Sequence, residues 1–222
     1  MKKATVFVWM CIFLFACQSS EHSEKETSDQ WWTAADQAFI LSELDRTNEE
    51  LRLEIEPLDT EQWQFREDSS RWSIVEIVEH LEMQNQLHYR EISVISQIPQ
   101  LLDFRAITKG QDAHFSKYST DTTRSQSRWF LEPKGKFCAL EDAQQAFYKA
   151  REELHQFVKE TDIDLRKQFT FRTAVEGKDI NDIKIGQVRD LHQLLLTGIA
   201  HTDRHIVQIK NIKLHPDYPK KE

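Results

Sequence analysis

Two histidines stand four residues apart near the C-terminus, in "GIAHTDRHIVQIK" at 198–210. Residues at that spacing share one face of an α-helix, so His201 and His205 could turn two imidazoles toward one point. At about 100° per residue, with Gly198 as the zero direction, Leu191, Leu194, Leu195, Thr202, Ile209 and Ile212 lie within about 60° of it. His201 falls near roughly −60° and His205 near roughly −20°, inside that core-facing stripe, while Asp203 and Arg204 face solvent. One helix face grips a metal ion with this spacing. The pattern is not that of H-E-x-x-H zinc proteases, because "HTDRH" lacks the glutamate after its first histidine. His192, about 180° around the helix from His201, is no candidate ligand. Two core imidazoles would show the same spacing, so spacing alone leaves both readings open.

A third histidine lies in "WSIVEIVEHLEMQNQ" at 72–86. Apolar residues cover more than one face of this segment, which predicts a well-buried helix. Glu76, Gln84 and Glu91 fall within about 40° of His80 on that helix. Carboxylates and amides on a buried face need partners, and a metal with bound water would supply them. Glu76, one turn before His80, is the candidate general base; a helix-capping role explains it equally well. The tryptophans at 31, 32, 63, 72 and 129 read as packing anchors.

Four long periodic segments must position these residues. They run over about Thr33–Glu56, Ser73–Gln97, Leu140–Thr161 and Gln187–Leu214, with Pro57, Pro99 and Pro216 as stops. No strand alternation competes with them. The pattern predicts an all-α fold, an antiparallel four-helix bundle over 33–214, followed by a polar tail at 215–222. Residues 99–139 form a connection long enough to act as a lid or substrate wall.

The first residues stand apart from the fold. Lys2 and Lys3 precede an apolar run from Ala4 to Ala16, too short to span a bilayer comfortably and typical of a signal peptide over 1–16. The run ends in "LFAC", similar to a lipoprotein box in which Cys17 is lipidated. Residues 17–32, polar and acidic, read as a disordered tether. The expected location is the bacterial cell envelope, on the outer membrane or cell surface, with the membrane reached through the anchor. Without residues 1–16 the chain carries 27 basic and 37 acidic side chains, a net charge of −10. That argues against nucleic acid as a partner, since replacing phosphate counterions takes clustered Lys and Arg. Cys138 is left without a disulfide partner.

"RWSIVEIVEHLEMQ" resembles the W-S-x-x-E-x-x-x-H-L segment of the DinB/YfiT-like superfamily. "GIAHTDRHIVQIK" resembles that family's closing H-x-x-x-H-x-x-Q-I helix, and "EPLDTEQWQFR" is similar to its first connector. The resemblance implies a four-helix bundle with a divalent metal, zinc or nickel, held by His80, His201 and His205. It implies an enzyme that either activates water for hydrolysis or activates a low-molecular-weight thiol for transfer. Export would separate the chain from cytosolic thiols, which favours a hydrolase of a small molecule. A non-catalytic envelope lipoprotein that binds a ligand is the competing expectation, and a homodimer stays open.

Overall fold

The structure, a computed structural model, describes residues 30–100, 102–117, 127–171, 182–184 and 186–220. The expected signal peptide, Cys17 and most of the expected tether lie outside the described residues. Four long helices, α1 (Ala34–Ile55), α3 (Ile74–Ile95), α6 (Leu140–Glu160) and α7 (Leu191–Lys213), form the bundle. Short helices α2 (Thr60–Gln64), α4 (Arg105–Thr108) and α5 (Asp112–Ser116) sit in the connections. Among the described residues, no helix is long and apolar enough to cross a membrane.

The helices start where side chains can satisfy the free N–H groups of the first turn. Thr33 Oγ1 accepts from Asp36 N and Asp36 Oδ2 accepts from Thr33 N, closing a box at the start of α1. Asp59 and Gln62 do the same for α2, and Asp190 Oδ1 accepts from Gln193 N at the start of α7. Glu76 Oε2 accepts from Ser73 N at the start of α3, whereas α6 follows Ala139 with no side-chain cap.

Two apolar clusters divide the core along its length. One gathers Leu51 and Ile55, Ile77 and Leu81, Leu140 and Phe147, and Ile206 to Ile212. The other gathers Ile40 and Leu44, Ile92, Leu154 and Val158, and Leu191 to Ile199. Hence α1 and α7 run one way, and α3 and α6 the other. α1 packs on α6 and α7, and α3 packs on the same two, so α1 and α3 occupy opposite corners. The all-α four-helix bundle expected from the periodicity is the fold, with two helices in each direction.

Three details differ from the sequence reading. α7 begins at Leu191 rather than Gln187, because Val188–Asp190 forms a strand, β2, antiparallel to β1 (Phe169–Phe171). Three residues per strand are too few to show alternation. The "polar tail" is anchored: Tyr218 joins the first cluster, and Pro219 O accepts from Gln62 Nε2 at 3.0 Å. At the other terminus Trp31 and Trp32, expected in the tether, pack on the bundle. Trp32 is buried, its indole N–H donates to His192 Nδ1, and Asp164 accepts from the backbone N–H of Trp31 and Trp32.

Candidate metal centre

α3 and α7 cross near the first apolar cluster and bring His80, His201 and His205 together, with one candidate ligand atom from each within 4.8 Å of the others. His201 Nε2 lies 3.2 Å from His80 Nε2 and 3.2 Å from His205 Nε2. Two nitrogens bound at about 2.0–2.1 Å to a tetrahedral ion stand about 3.3–3.4 Å apart, so these spacings fit a shared cation. His80 and His205 are 4% and 6% exposed, whereas His201 is only partly buried and marks the open side.

The hydrogen bonds behind the rings fix their tautomers. Leu131 O can only accept, so the 2.7 Å contact to His80 Nδ1 puts the proton on Nδ1 and leaves a lone pair on Nε2. Gln208 Oε1, 2.8 Å from His205 Nδ1, does the same for His205. His201 can offer at most one N–H between these two lone pairs, so at least one close nitrogen pair faces lone pair to lone pair. A cation removes that repulsion, and the donor set fits a divalent one. Among the described residues no carboxylate or thiol completes the cluster. Three protein ligands leave a position open, the arrangement of catalytic rather than closed structural zinc sites.

Burial holds all three imidazoles neutral, the state that binds metal. His205 is pushed down to about 3, first by burial and then by His80 beside it, with the Gln208 bond opposing. Burial likewise sets His201 well below its ordinary value, helped by His205 and His80, and lowers His80 against the Leu131 bond. Away from the cluster, burial pushes His88 to about 3 and His192 to about 4.

A pH dependence of stability follows for the metal-free protein. His88, His192 and His205 have folded-state values below the unfolded value near 6.5, so below that pH the unfolded chain takes up protons first. Stability is therefore full above about pH 6.5 and falls toward pH 3–4, by up to about 1.4 kcal/mol per pH unit for each group. Asp190, raised to about 7 by burial, opposes this as it protonates, so the net slope is the histidines less one carboxyl. Melting curves of the chelator-treated chain from pH 7.5 to 4.5 measure it. A melting temperature that stays flat until the carboxylate range refutes it.

Glu76 is not part of the cluster. Its Oε2 accepts from the backbone N–H and hydroxyl of Ser73, and its Oε1 meets Arg66 Nη2 at 2.5 Å. The carboxylate closes the capping box, the role that the sequence offered equally with that of general base. Gln84 donates to His88 Nε2, and Glu91 pairs with Thr170 and Arg189. Glu76, Gln84 and Glu91 thus find protein partners instead of the metal histidines.

Several residues that matter here carried no readable signal. Glu79, 1% exposed, accepts from the backbone N–H of Lys134 at 2.7 Å and of Lys136 at 3.1 Å. It thereby straps the segment carrying Leu131 against α3. Trp72 lies 4.9 Å from the His80 ring and stacks on His205 at 6.5 Å and 21°. Trp129 and Phe130, 76% and 41% exposed, stand beside the Leu131 contact. Glu79 is one of four glutamates on α3, so nothing in the sequence set it apart as the buried one.

The sequence profile of the DinB superfamily matches residues 43–209. YfiT from Bacillus subtilis, described as a probable metal-dependent hydrolase with an unusual four-helix bundle topology, shares the fold. The two chains are 12% identical and superpose with a TM-score of 0.56 over 84% of this chain and 91% of that one. No curated protein matches the chain.

Proposed function

The chain belongs to the DinB superfamily, and from that membership and the histidine geometry we propose that it is a divalent-metal-dependent hydrolase of a small molecule, with His80, His201 and His205 as ligands. One observation carries the reading: Nε2 of His201 stands 3.2 Å from Nε2 of both His80 and His205, all three within 4.8 Å, with two of the Nδ1 protons already committed elsewhere. Zinc or nickel suits three imidazoles. When bound at an open three-histidine site, such an ion would lower the pKa of a bound water to about 7 and polarise a carbonyl.

The chain's own residues set the conditions for that chemistry. Leu131 O and Gln208 aim two imidazoles and raise their basicity as ligands. The Trp72 ring covers His80 and His205 and keeps solvent from that side. The partly exposed His201 edge leaves an approach, and Trp129 with Phe130 offers an apolar lip for a substrate. In this proposal the enzyme works in the cell envelope, held by a lipid on Cys17, where thiol cofactors are scarce and water is not.

The test is purification of the untagged full chain with two readouts. Elemental analysis is expected to find roughly one zinc or nickel per folded chain, and mass spectrometry an acylated Cys17 as first residue. Hydrolysis of a panel of activated esters and amides should vanish with chelation and return with the metal. Folded protein without stoichiometric metal overturns the metal assignment, and metal without hydrolysis overturns the enzyme.

A further inference from the structure

Arg151 on α6 is 2% exposed. Its Nη2 donates to Thr202 Oγ1 at 2.8 Å, and its guanidinium lies 5.4 Å from the Phe147 ring centre. Its Nε and Nη1 meet no acceptor, and no carboxylate pairs with it among the described residues. Asp203, the acid next to Thr202, is already gripped at both oxygens by Arg46, at 2.9 and 3.0 Å. An arginine does not shed its proton in a protein, and an unpaired buried cation is strongly destabilising.

Other donors converge on the same turn of α7. Thr202 Oγ1 donates to Gly198 O at 3.0 Å, and a Cβ on Gly198 would stand 2.8 Å from His88 Nδ1. The amide nitrogen of Gln84 donates to His88 Nε2, so His88 carries its proton on Nδ1, where no acceptor is found. Asn85 Nδ2, three residues earlier on α3, is covered and unpartnered too. His201 Nδ1 is likewise without a partner, and it is a donor whenever Nε2 serves as ligand. Gly198, Thr202 and His205 follow one another along one helix stripe, so Thr202 sits about 4.5 Å along the axis from His205 and next to His201 in the chain. Every one of these orphaned groups donates or will donate. The ligand that suits them has only acceptors and carries negative charge.

We infer that the bundle interior beside the three histidines is a receptor for a small monoanion, with Arg151 and His88 as its donors, joined by His201 Nδ1 when Nε2 holds a metal. A carboxylate and a halide share the required chemistry. The site deepens the proposed function by giving the substrate class, a small molecule whose carboxylate seats at Arg151 while its scissile bond faces the metal; that last step alone rests on the hydrolase reading. Arg151 is a binding residue in this scheme.

The experiment uses the full chain in HEPES without halide, in metal-free and metal-loaded forms, with sodium acetate, sodium bromide and neutral acetamide as probes. The melting temperature of the wild type is expected to rise saturably with acetate and bromide, by about 5–10 °C at a hundredfold excess over Kd, and not with acetamide. Arg151→Met, of similar volume and neutral, is expected to lose that response and to melt no lower than the wild type without anion. Crystals of the wild type soaked in bromide should show anomalous density within hydrogen-bonding distance of the guanidinium, a readout that does not need the variant to fold. An equal rise in wild type and Arg151→Met, a response to acetamide matching acetate, or bromide absent from Arg151 each overturns the proposal. The metal-free arm keeps its response if the chain proves to hold no metal, so the two readings fail separately. Acetate response only in the metal-loaded form, undiminished by Arg151→Met, assigns the anion to the metal and sinks the receptor.

Discussion

Replacing His205 with alanine is expected to abolish stoichiometric metal binding while leaving the bundle folded. The side chain is 6% exposed and gives the cluster one of its three lone pairs. Without it two imidazoles remain, one fewer than the three protein ligands of open zinc sites. The apo stability cost is modest, about 1–3 kcal/mol for lost packing, because the variant also removes a close nitrogen contact. Gln208→Ala provides the internal scale. It leaves the three ligands in place and takes only the acceptor behind His205, so affinity should fall about 10–100-fold. Competitive titration against a metal-sensitive dye orders the two variants. Wild-type affinity in His205→Ala, or a larger loss in Gln208→Ala, is incompatible with His205 as a ligand.

Glu79→Ala should cost both stability and metal affinity, although the carboxylate touches neither metal nor any histidine. Its two oxygens hold the backbone N–H groups of Lys134 and Lys136, and the segment they fix presents Leu131 O to His80. Removing the carboxylate strands two half-buried donors, at about 2 kcal/mol, and frees the carbonyl that sets the His80 tautomer, at about tenfold in affinity. Glu79→Gln keeps one acceptor oxygen and should fall between. Urea denaturation and metal titration read the two effects. A variant that loses stability yet binds metal as before would show that the strap is structural only.

The long helices were legible because each carries enough apolar residues at helical spacing to outweigh local detail, and because Thr33 and Ser73 stand where helices need starting residues; Asp190 was absorbed into a helix read from Gln187. The pairing of His201 with His205 was legible for the same reason, since one helix fixes both directions. Their meeting with His80 was not, because it depends on which helices pack together, and only the resemblance supplied it. Glu76 stayed open because a glutamate three residues after a serine serves a capping box as readily as an active site; the structure spends it on the first. Leu131 escaped altogether. It acts through a backbone carbonyl, and nothing in a side-chain pattern distinguishes one carbonyl from the next. Gln208 stood in the quoted motif without a role, because its hydrogen bond to His205 becomes visible only with coordinates. Arg151 gives no signal in the sequence, where a charge on an amphipathic helix looks solvent-facing, yet it is only 2% exposed.

The direction of α3 and α6 has a consequence for how the protein assembles. α3 finishes at the far end of the bundle and α6 starts back at the near end, so the chain must retrace roughly 33 Å, the length of a 22-residue helix, between them. The long crossover is therefore demanded by topology, and the peptide unit that orients His80 rides on it. Contacts separated by that much sequence close late, because loop-closure entropy comes due before they can compensate. Metal capture should thus accompany the final stage of folding, and a hairpin-connected relative of the same helices would reach its native shape sooner without a tuned ligand.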